Sequence, residues 1–353
     1  MKIIAFPRDP NPYQELLYTP MREKGVSVAY LEGPTSSQTL NLLCMPFALL
    51  RRRIGGATVF HLHWTYLFTL PWAHNPFGQR IMGWYFAFML RLIKLYGYKL
   101  VWTAHNVLPH APQFANDVSA RRLLAYRADS IIAHSQSAKD QLVRVVSALP
   151  SKITVIPHGN YQDVYPNTVP RDEARDSLLL PKKAFVALFL GKIETYKNIP
   201  ALLDTALAIP ELHVVVAGSC NDAALTRRLR AYEQKLGKRL QLHFGYVPEA
   251  RVQYFYNAAD VTVLPFSEVS TSGSVLLSLT FGTPIIAPRL GGLNDVPNTV
   301  GYLYDPEQTD ALERTLRAAM RGPLTAKRRG AYRYVASLSW TRIAATTEKL
   351  LRR

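Results

Sequence analysis

Leu264–Pro288, LPFSEVSTSGSVLLSLTFGTPIIAP, reads as the end of a strand, a loop of Ser, Thr and Gly, an apolar helix, a Gly-Thr-Pro turn and a second strand. A strand that passes through Ser270, Thr271, Ser272, Gly273 and Ser274 into a helix aims several unpaired backbone N–H groups, and the positive end of the helix dipole, at one place. A phosphate suits that place. The small hydroxyl side chains and Gly273 let a ligand approach the backbone, and Gly282-Thr283-Pro284 stops the helix before the next strand.

Working outward, apolar β-branched runs recur with helical segments between them. In the first half they are Ile3–Phe6, Val26–Tyr30, Val59–Leu62, Leu100–Ala104, Ser130–His134 and Ile153–Pro157. In the second they are Phe185–Leu190, His213–Ala217, Leu240–Phe244, Val261–Leu264, Pro284–Ala287 and Tyr302–Tyr304. Near-continuous apolar strands alternating with helices indicate parallel sheets covered on both faces. At 353 residues, two domains are expected. The pattern therefore predicts an α/β chain of two doubly wound, Rossmann-like domains facing a cleft. Residues 1–160 make the first and 161–338 the second, and Gly, Asn, Asp and Pro over 159–170 mark a linker.

Composition narrows the class. At 48% hydrophobic and 19% charged, the chain is an ordinary folded protein. Cys44 and Cys220 are too few for a disulfide framework and lack metal-ligand spacing, which predicts a reducing compartment. The first apolar run is four residues long before Pro7, a strand rather than a signal peptide. The longest membrane candidate, Ile81 to Leu90, is ten residues between two arginines, well short of the roughly 20 that a span needs.

The net charge of +17 calls for an anionic partner or surface. Residues 1–170 carry 17 − 8 = +9 and residues 171–353 carry 25 − 17 = +8, so no basic tail accounts for it. From Gly33 to Asn116 there is no Asp or Glu, while Arg51, Arg52, Arg53, Arg80, Arg91, Lys94 and Lys99 fall in that span. Leu40–Ile54 and Arg80–Tyr98 set aromatic and aliphatic bulk beside these cations, a pattern that suits the interface of an anionic membrane. The bland alternative is a pair of buried helices with solvated ends. Nucleic acid is disfavoured, because the basic residues join no recognisable reading motif.

Strand ends place the candidate chemistry. In doubly wound sheets, ligands bind outside the carboxyl ends of strands. The Pro-rich loop Pro7–Tyr13 lies there and lacks G-x-G-x-x-G, which argues against a nicotinamide site and leaves acceptor binding or a rigid connection. His105 follows the strand Leu100–Ala104, so it points into the crevice. His61, His63, His74 and His110 have weaker claims. His61 and His63 alternate on a strand without a convincing third ligand, so no metal is expected.

The stretch from Pro265 to Pro288 resembles the donor-binding region of GT-B glycosyltransferases of the retaining family 4 (glycosyl transferases group 1) type. Thr103-Ala104-His105-Asn106 resembles the family's Thr-x-His-Asp stretch, and the resemblance implies that His105 contacts the donor sugar. Gly191-Lys192 and Lys197-Asn198 resemble its Gly-Arg/Lys and Lys-Gly/Asn element, which implies that Lys192 and Lys197 bind a donor diphosphate. Cations and helix N–H groups stabilise the leaving phosphates without a metal or other cofactor. By the same resemblance, Gly191 and the Thr271, Ser272, Gly273 and Ser274 backbone cradle the phosphates, Tyr246 and Val247 hold the nucleotide base through the main chain, and the helix over 339–353 packs back on the first domain. Ala128–Ser135 and Val155–Asn160 resemble family segments too, with structural roles expected for Ser135 and His158. The sequence departs at the family's paired glutamates: Glu268 stands one residue from the first position, and Leu277 occupies the second.

The resemblance implies transfer of a sugar from a nucleotide-diphosphate sugar to a glycan acceptor with retention of configuration. The basic apolar segments extend this to a lipid-linked acceptor in surface-polysaccharide assembly, at the cytoplasmic face of a membrane. Inversion stays open because of Leu277, and would need a base such as Asp9 or His105. Two rival functions are a nucleotide-sugar epimerase of the same fold and a non-catalytic basic protein that binds membrane or nucleic acid.

Overall fold

Each apolar run becomes a strand, with ends shifted by a residue or two, because a strand buried on both faces needs an unbroken apolar segment. The computed structural model describes residues 1–70, 73, 75–109, 111–268 and 273–353. Met1–Gly159 and Ser339–Arg353 form one compact unit, and Asn160–Leu338 form a second.

The first unit runs β1 (Lys2–Phe6), α1 (Tyr13–Glu23), β2 (Ser27–Tyr30), α2 (Gln38–Ile54), β3 (Val59–Leu62), α3 (Pro76–Leu95), β4 (Lys99–Ala104), α4 (Asp117–Arg127), β5 (Ser130–Ala133), α5 (Gln136–Val146) and β6 (Ile153–Val155). Its sheet is parallel, in the order β2-β1-β3-β4-β5-β6. Alternate residues of each strand feed two cores. Ile4, Phe60, Trp102 and Ile131 pack under α2, α3, α4 and α5. Ile3, Val59, Val101 and Ile132 pack under α1 and the C-terminal helix.

The second unit runs α6 (Arg171–Ser177), β7 (Phe185–Leu190), α7 (Ile199–Ala208), β8 (Leu212–Gly218), α8 (Ala223–Leu236), β9 (Leu240–Phe244), α9 (Glu249–Ala258), β10 (Val261–Val263), α10 (Gly273–Thr280), β11 (Ile285–Pro288), β12 (Gly301–Tyr304), α11 (Ala311–Arg321) and α12 (Leu324–Ser337). Its parallel sheet has the order β12-β11-β10-β7-β8-β9. The strand order reverses beside β7, which opens a crevice between the carboxyl ends of β7 and β10. α13 (Trp340–Arg352) returns to the first unit and packs on α1.

The expected linker is not free. Thr168 and Val169 donate backbone N–H bonds to Gln253 Oε1 at 2.9 and 3.1 Å, and Asn160 Nδ2 donates to Val335 O at 2.8 Å. The boundary between the two units falls at Gly159 and Asn160, inside this segment, and a polar side chain of α9 and an α12 carbonyl bind the rest of it to the second unit. Its one requirement for glycine is steric: a Cβ on Gly159 would lie 2.3 Å from the Trp340 ring.

Gly159→Ala should therefore displace Trp340 and α13. We expect a stability loss of about 1–3 kcal/mol, read as a lower urea midpoint. An unchanged midpoint would show that this packing is not tight.

Candidate functional site

A parallel sheet releases every strand at the same edge, so residues that follow the strands meet there. In the first unit, His63 follows β3, His105 follows β4 and His134 follows β5, while His158 lies a short turn beyond β6. His61, two residues before His63 on β3, points the same way. The result is a cluster of five histidines.

Their nitrogens face one another rather than a common point. His105 Nε2 lies 3.2 Å from His63 Nδ1, and His105 Nδ1 lies 3.3 Å from His134 Nε2. The Tyr18 hydroxyl, on α1, is 2.7 Å from both His61 Nδ1 and His63 Nε2. His61 Nε2 meets Thr103 Oγ1 at 2.8 Å, and His134 Nδ1 meets the Ile156 carbonyl at 3.0 Å. Trp64 stacks on the His105 ring, 9° from parallel at 4.2 Å, and Tyr13 sets its ring edge-on to it at 4.7 Å. Among the described residues no group of three or more His, Cys, Asp or Glu is arranged to hold a metal ion.

Burial keeps these rings neutral. It lowers the pKa of His61 to about 3, of His134 to about 4 and of His158 to about 3. His63 and His105 are also lowered, first by burial and then by neighbouring imidazoles. His105 is only half-buried, whereas the other four are buried. Asp9 is engaged as well: Oδ2 accepts from the Tyr66 hydroxyl at 2.6 Å and Oδ1 from Asn11 N at 2.8 Å.

In the second unit, β7 ends at Gly191 and Lys192. Gly218, at the end of β8, packs so closely that a Cβ there would fall 1.9 Å from Gly191 O. On its other side Gly191 meets the start of α10, where Ser274 Oγ lies 3.4 Å from the place of a Gly191 Cβ. Lys192 is exposed and paired with Glu194 Oε1 at 2.6 Å. Lys197 is placed differently: its ammonium lies 4.5 Å from the Phe266 ring centre and 5.0 Å from that of Tyr196. Among the described residues it has no hydrogen-bond acceptor, and burial lowers its pKa. The loop after β10 is tied to this corner, since Ser267 N donates to Tyr196 O at 2.9 Å. Glu268 is exposed, and its charge acts on the Tyr196 phenol.

Gly191, Lys192, Lys197, Glu268 and Ser274 thus share the crevice between β7 and β10, beside Gly273 at the first position of α10. Tyr246 and Val247 follow β9, the edge strand beyond β8, with Tyr246 exposed and Val247 packed on the core; Gly245 N just before them donates to Gly218 O at 3.0 Å. Ser270, Thr271 and Ser272, and likewise His74 and His110, lie outside the described residues. Leu277, where the resembling family has its second glutamate, packs with Tyr256 and Phe281.

Sequence reading singled out His105 but missed its partners Tyr18 and His134, and the ring cradle of Lys197. One signal was available: a histidine follows three consecutive strands at the same offset.

Residues 170–335 match the family described as Glycosyl transferases group 1, and residues 81–160 match Glycosyltransferase Family 4. The chain is similar to GDP-mannose:glycolipid 4-beta-D-mannosyltransferase of Xanthomonas campestris pv. campestris, with 25% identity over 78% of this chain and 76% of that one. It is 30% identical to D-inositol 3-phosphate glycosyltransferase of Mycobacterium sp. (strain JLS) over 60% of this chain, and spans 49% of that relative. Among solved structures, Anabaena HepE in complex with UDP shares the fold, with a TM-score of 0.76 and 16% identity over all of both chains.

The neutral histidines carry a pH dependence. An unfolded histidine takes up a proton near 6.5, whereas His61, His134 and His158 do so near 3 to 4. Below pH 6.5 the unfolded chain binds more protons, so each such group lowers stability by about 1.4 kcal/mol per pH unit. Urea unfolding followed by intrinsic fluorescence should show a much lower midpoint at pH 5.5 than at pH 7.5. Equal midpoints would mean that the rings are not buried neutral.

Proposed function

We propose that this chain, a glycosyltransferase of GT-B fold and the family 4, group 1 type, moves a sugar from a nucleotide-diphosphate sugar to a lipid-linked glycan acceptor. The observation that carries the donor half is Lys197, a cation held over two rings with no hydrogen-bond acceptor among the described residues. Breaking the bond between sugar C1 and the phosphate oxygen leaves negative charge on the diphosphate. Lys197, Lys192 and the amides at the start of α10 neutralise that charge from fixed positions, so the reaction needs no metal. The relatives that carry GDP-mannose or UDP in their names support a nucleotide-sugar donor.

We read the transfer as retaining. The acceptor oxygen bonds to C1 on the face that the phosphate leaves, and a phosphate oxygen takes the acceptor proton. The two candidate bases for inversion, Asp9 and His105, already hydrogen-bond within the protein. The relative named for a 4-beta-D-mannosyl product makes the anomeric configuration of the product, read from its NMR coupling, the decisive measurement.

The acceptor half rests on the first unit. Phe47 and Ile54 on α2 are 75% and 79% exposed, and Trp84 on α3 is 68% exposed. Beside them stand Arg51 and Arg52, free to meet phosphate head groups, while Arg53 Nε donates to Tyr96 O. Next to α2 a cavity of about 310 Å3, lined by Leu31, Leu42, Met45 and Leu67 among others, offers room for part of an apolar tail. No helix among the described residues is long and apolar enough to cross a membrane. We therefore place the enzyme on the anionic inner face of a membrane, in surface-polysaccharide assembly. An epimerase would turn over without an acceptor and ignore vesicles, which separates the readings.

Lys197→Ala should lower kcat/KM by about 100-fold or more with the fold intact; full activity would sink the donor assignment. Arg51→Gln with Arg52→Gln should weaken pelleting with phosphatidylglycerol vesicles by roughly 30-fold, at about 1 kcal/mol per cation. Unchanged pelleting would remove the membrane from this face.

A further inference from the structure

Six hydrogen bonds join Thr103, His61, Tyr18, His63, His105, His134 and the Ile156 carbonyl in one line. With neutral rings, only one placement of protons satisfies it. A carbonyl oxygen can only accept, so His134 carries its proton on Nδ1, toward Ile156. His134 Nε2 is then an acceptor, and His105 donates to it from Nδ1. His105 Nε2 in turn accepts from His63 Nδ1–H. His63 Nε2 accepts from the Tyr18 hydroxyl, whose oxygen accepts from His61 Nδ1–H, and His61 Nε2 accepts from Thr103. Every bond has one proton and none is left over.

We propose that Tyr18, His61, His63 and His134 are positioning residues that hold His105 as its Nδ1–H tautomer, so that its Nε2 is always a hydrogen-bond acceptor. Its use on a substrate rests on the reading of His105 as the residue that meets the sugar. His105 is the half-buried member of a line whose other side chains are buried, so the line meets solvent there. A substrate hydroxyl that reaches Nε2 replaces the 3.2 Å bond from His63 and finds an acceptor, never a donor. The hydroxyl is thereby oriented with its O–H pointing at His105 Nε2.

The line does not carry protons away. It ends at a carbonyl that cannot take one up, and burial disfavours an imidazolium anywhere along it. The phenol of Tyr18 is likewise kept protonated by burial. The ionisable groups acting on His105 and His63 are other imidazoles. Orientation, not transport, is what the arrangement supplies.

Long-range 1H–15N spectra of histidine-labelled protein read tautomers directly. We expect His61, His63, His105 and His134 to be neutral and protonated at Nδ1 from pH 6 to 8. His134→Leu leaves His105 Nδ1 facing a methyl group, so His105 should change to the Nε2–H tautomer, with His63 following, and kcat/KM should fall about tenfold or more. His134→Gln keeps an acceptor at that point and should restore both the tautomer and most of the turnover. An Nε2–H or charged ring at any of the four in the unaltered protein overturns the proposal, even if the Leu variant fails to fold. So does an unchanged His105 tautomer in that variant. The expected tautomers with full turnover in His134→Leu would leave the proton order standing and overturn the assignment of His105 to the sugar.

Discussion

Parallel pairing is the constraint on which the rest depends. Every ladder in both sheets is parallel, so every strand must be reached by a crossover and must leave at the same edge. Residues scattered over a hundred positions of sequence therefore converge without any contact between their own segments. The five histidines of the first unit and the two lysines of the second are gathered this way. Register does the fine placement: Ala104 pairs with Ala133, which sets His105 beside His134.

The two edges solve opposite problems. In the first unit, polar rings are largely taken out of water, and both nitrogens of His61, His63, His105 and His134 find partners within the protein, with Trp64 and Tyr13 closing over His105. In the second, a cation is kept partly out of water over two ring faces, with no hydrogen-bond acceptor among the described residues. Such a cation is unfavourable on its own and gains when an anion arrives. Lys192 shows the contrast, because Glu194 already neutralises it at the surface.

Much of this was legible in the sequence. A strand covered on both faces is mostly apolar, so the twelve strands among the described residues stood out as apolar runs. The Gly191-Lys192 and Lys197 spacing was legible too, since it lies within one turn after a strand. What escaped depends on distant residues. Phe266 lies over Lys197 in a corner where Ser267 N bonds to Tyr196 O, a contact between residues 71 positions apart. Tyr18 reaches His61 and His63 only because α1 lies across β1 and β3. The boundary between the units falls inside the expected linker, but its anchoring was not legible, since Gln253 and Val335 lie far along the chain from the residues they bind.

The return of α13 has a consequence for how the chain assembles. Trp340 lies against Tyr13 and His158, and Ile343 and Leu351 complete the core that includes Tyr13, Leu17 and Tyr18. Lys99 Nζ even donates to the Leu350 carbonyl, at 2.6 Å. During synthesis the second unit is continuous and can close as soon as it emerges. The first cannot, because one face of its sheet, covered in part by α1, waits for residues 339–353 to complete its cover. The histidine-bearing unit is begun before the second unit and completed after it, and until then the part of its apolar face that α13 covers is open to whatever chaperone or neighbouring chain is at hand.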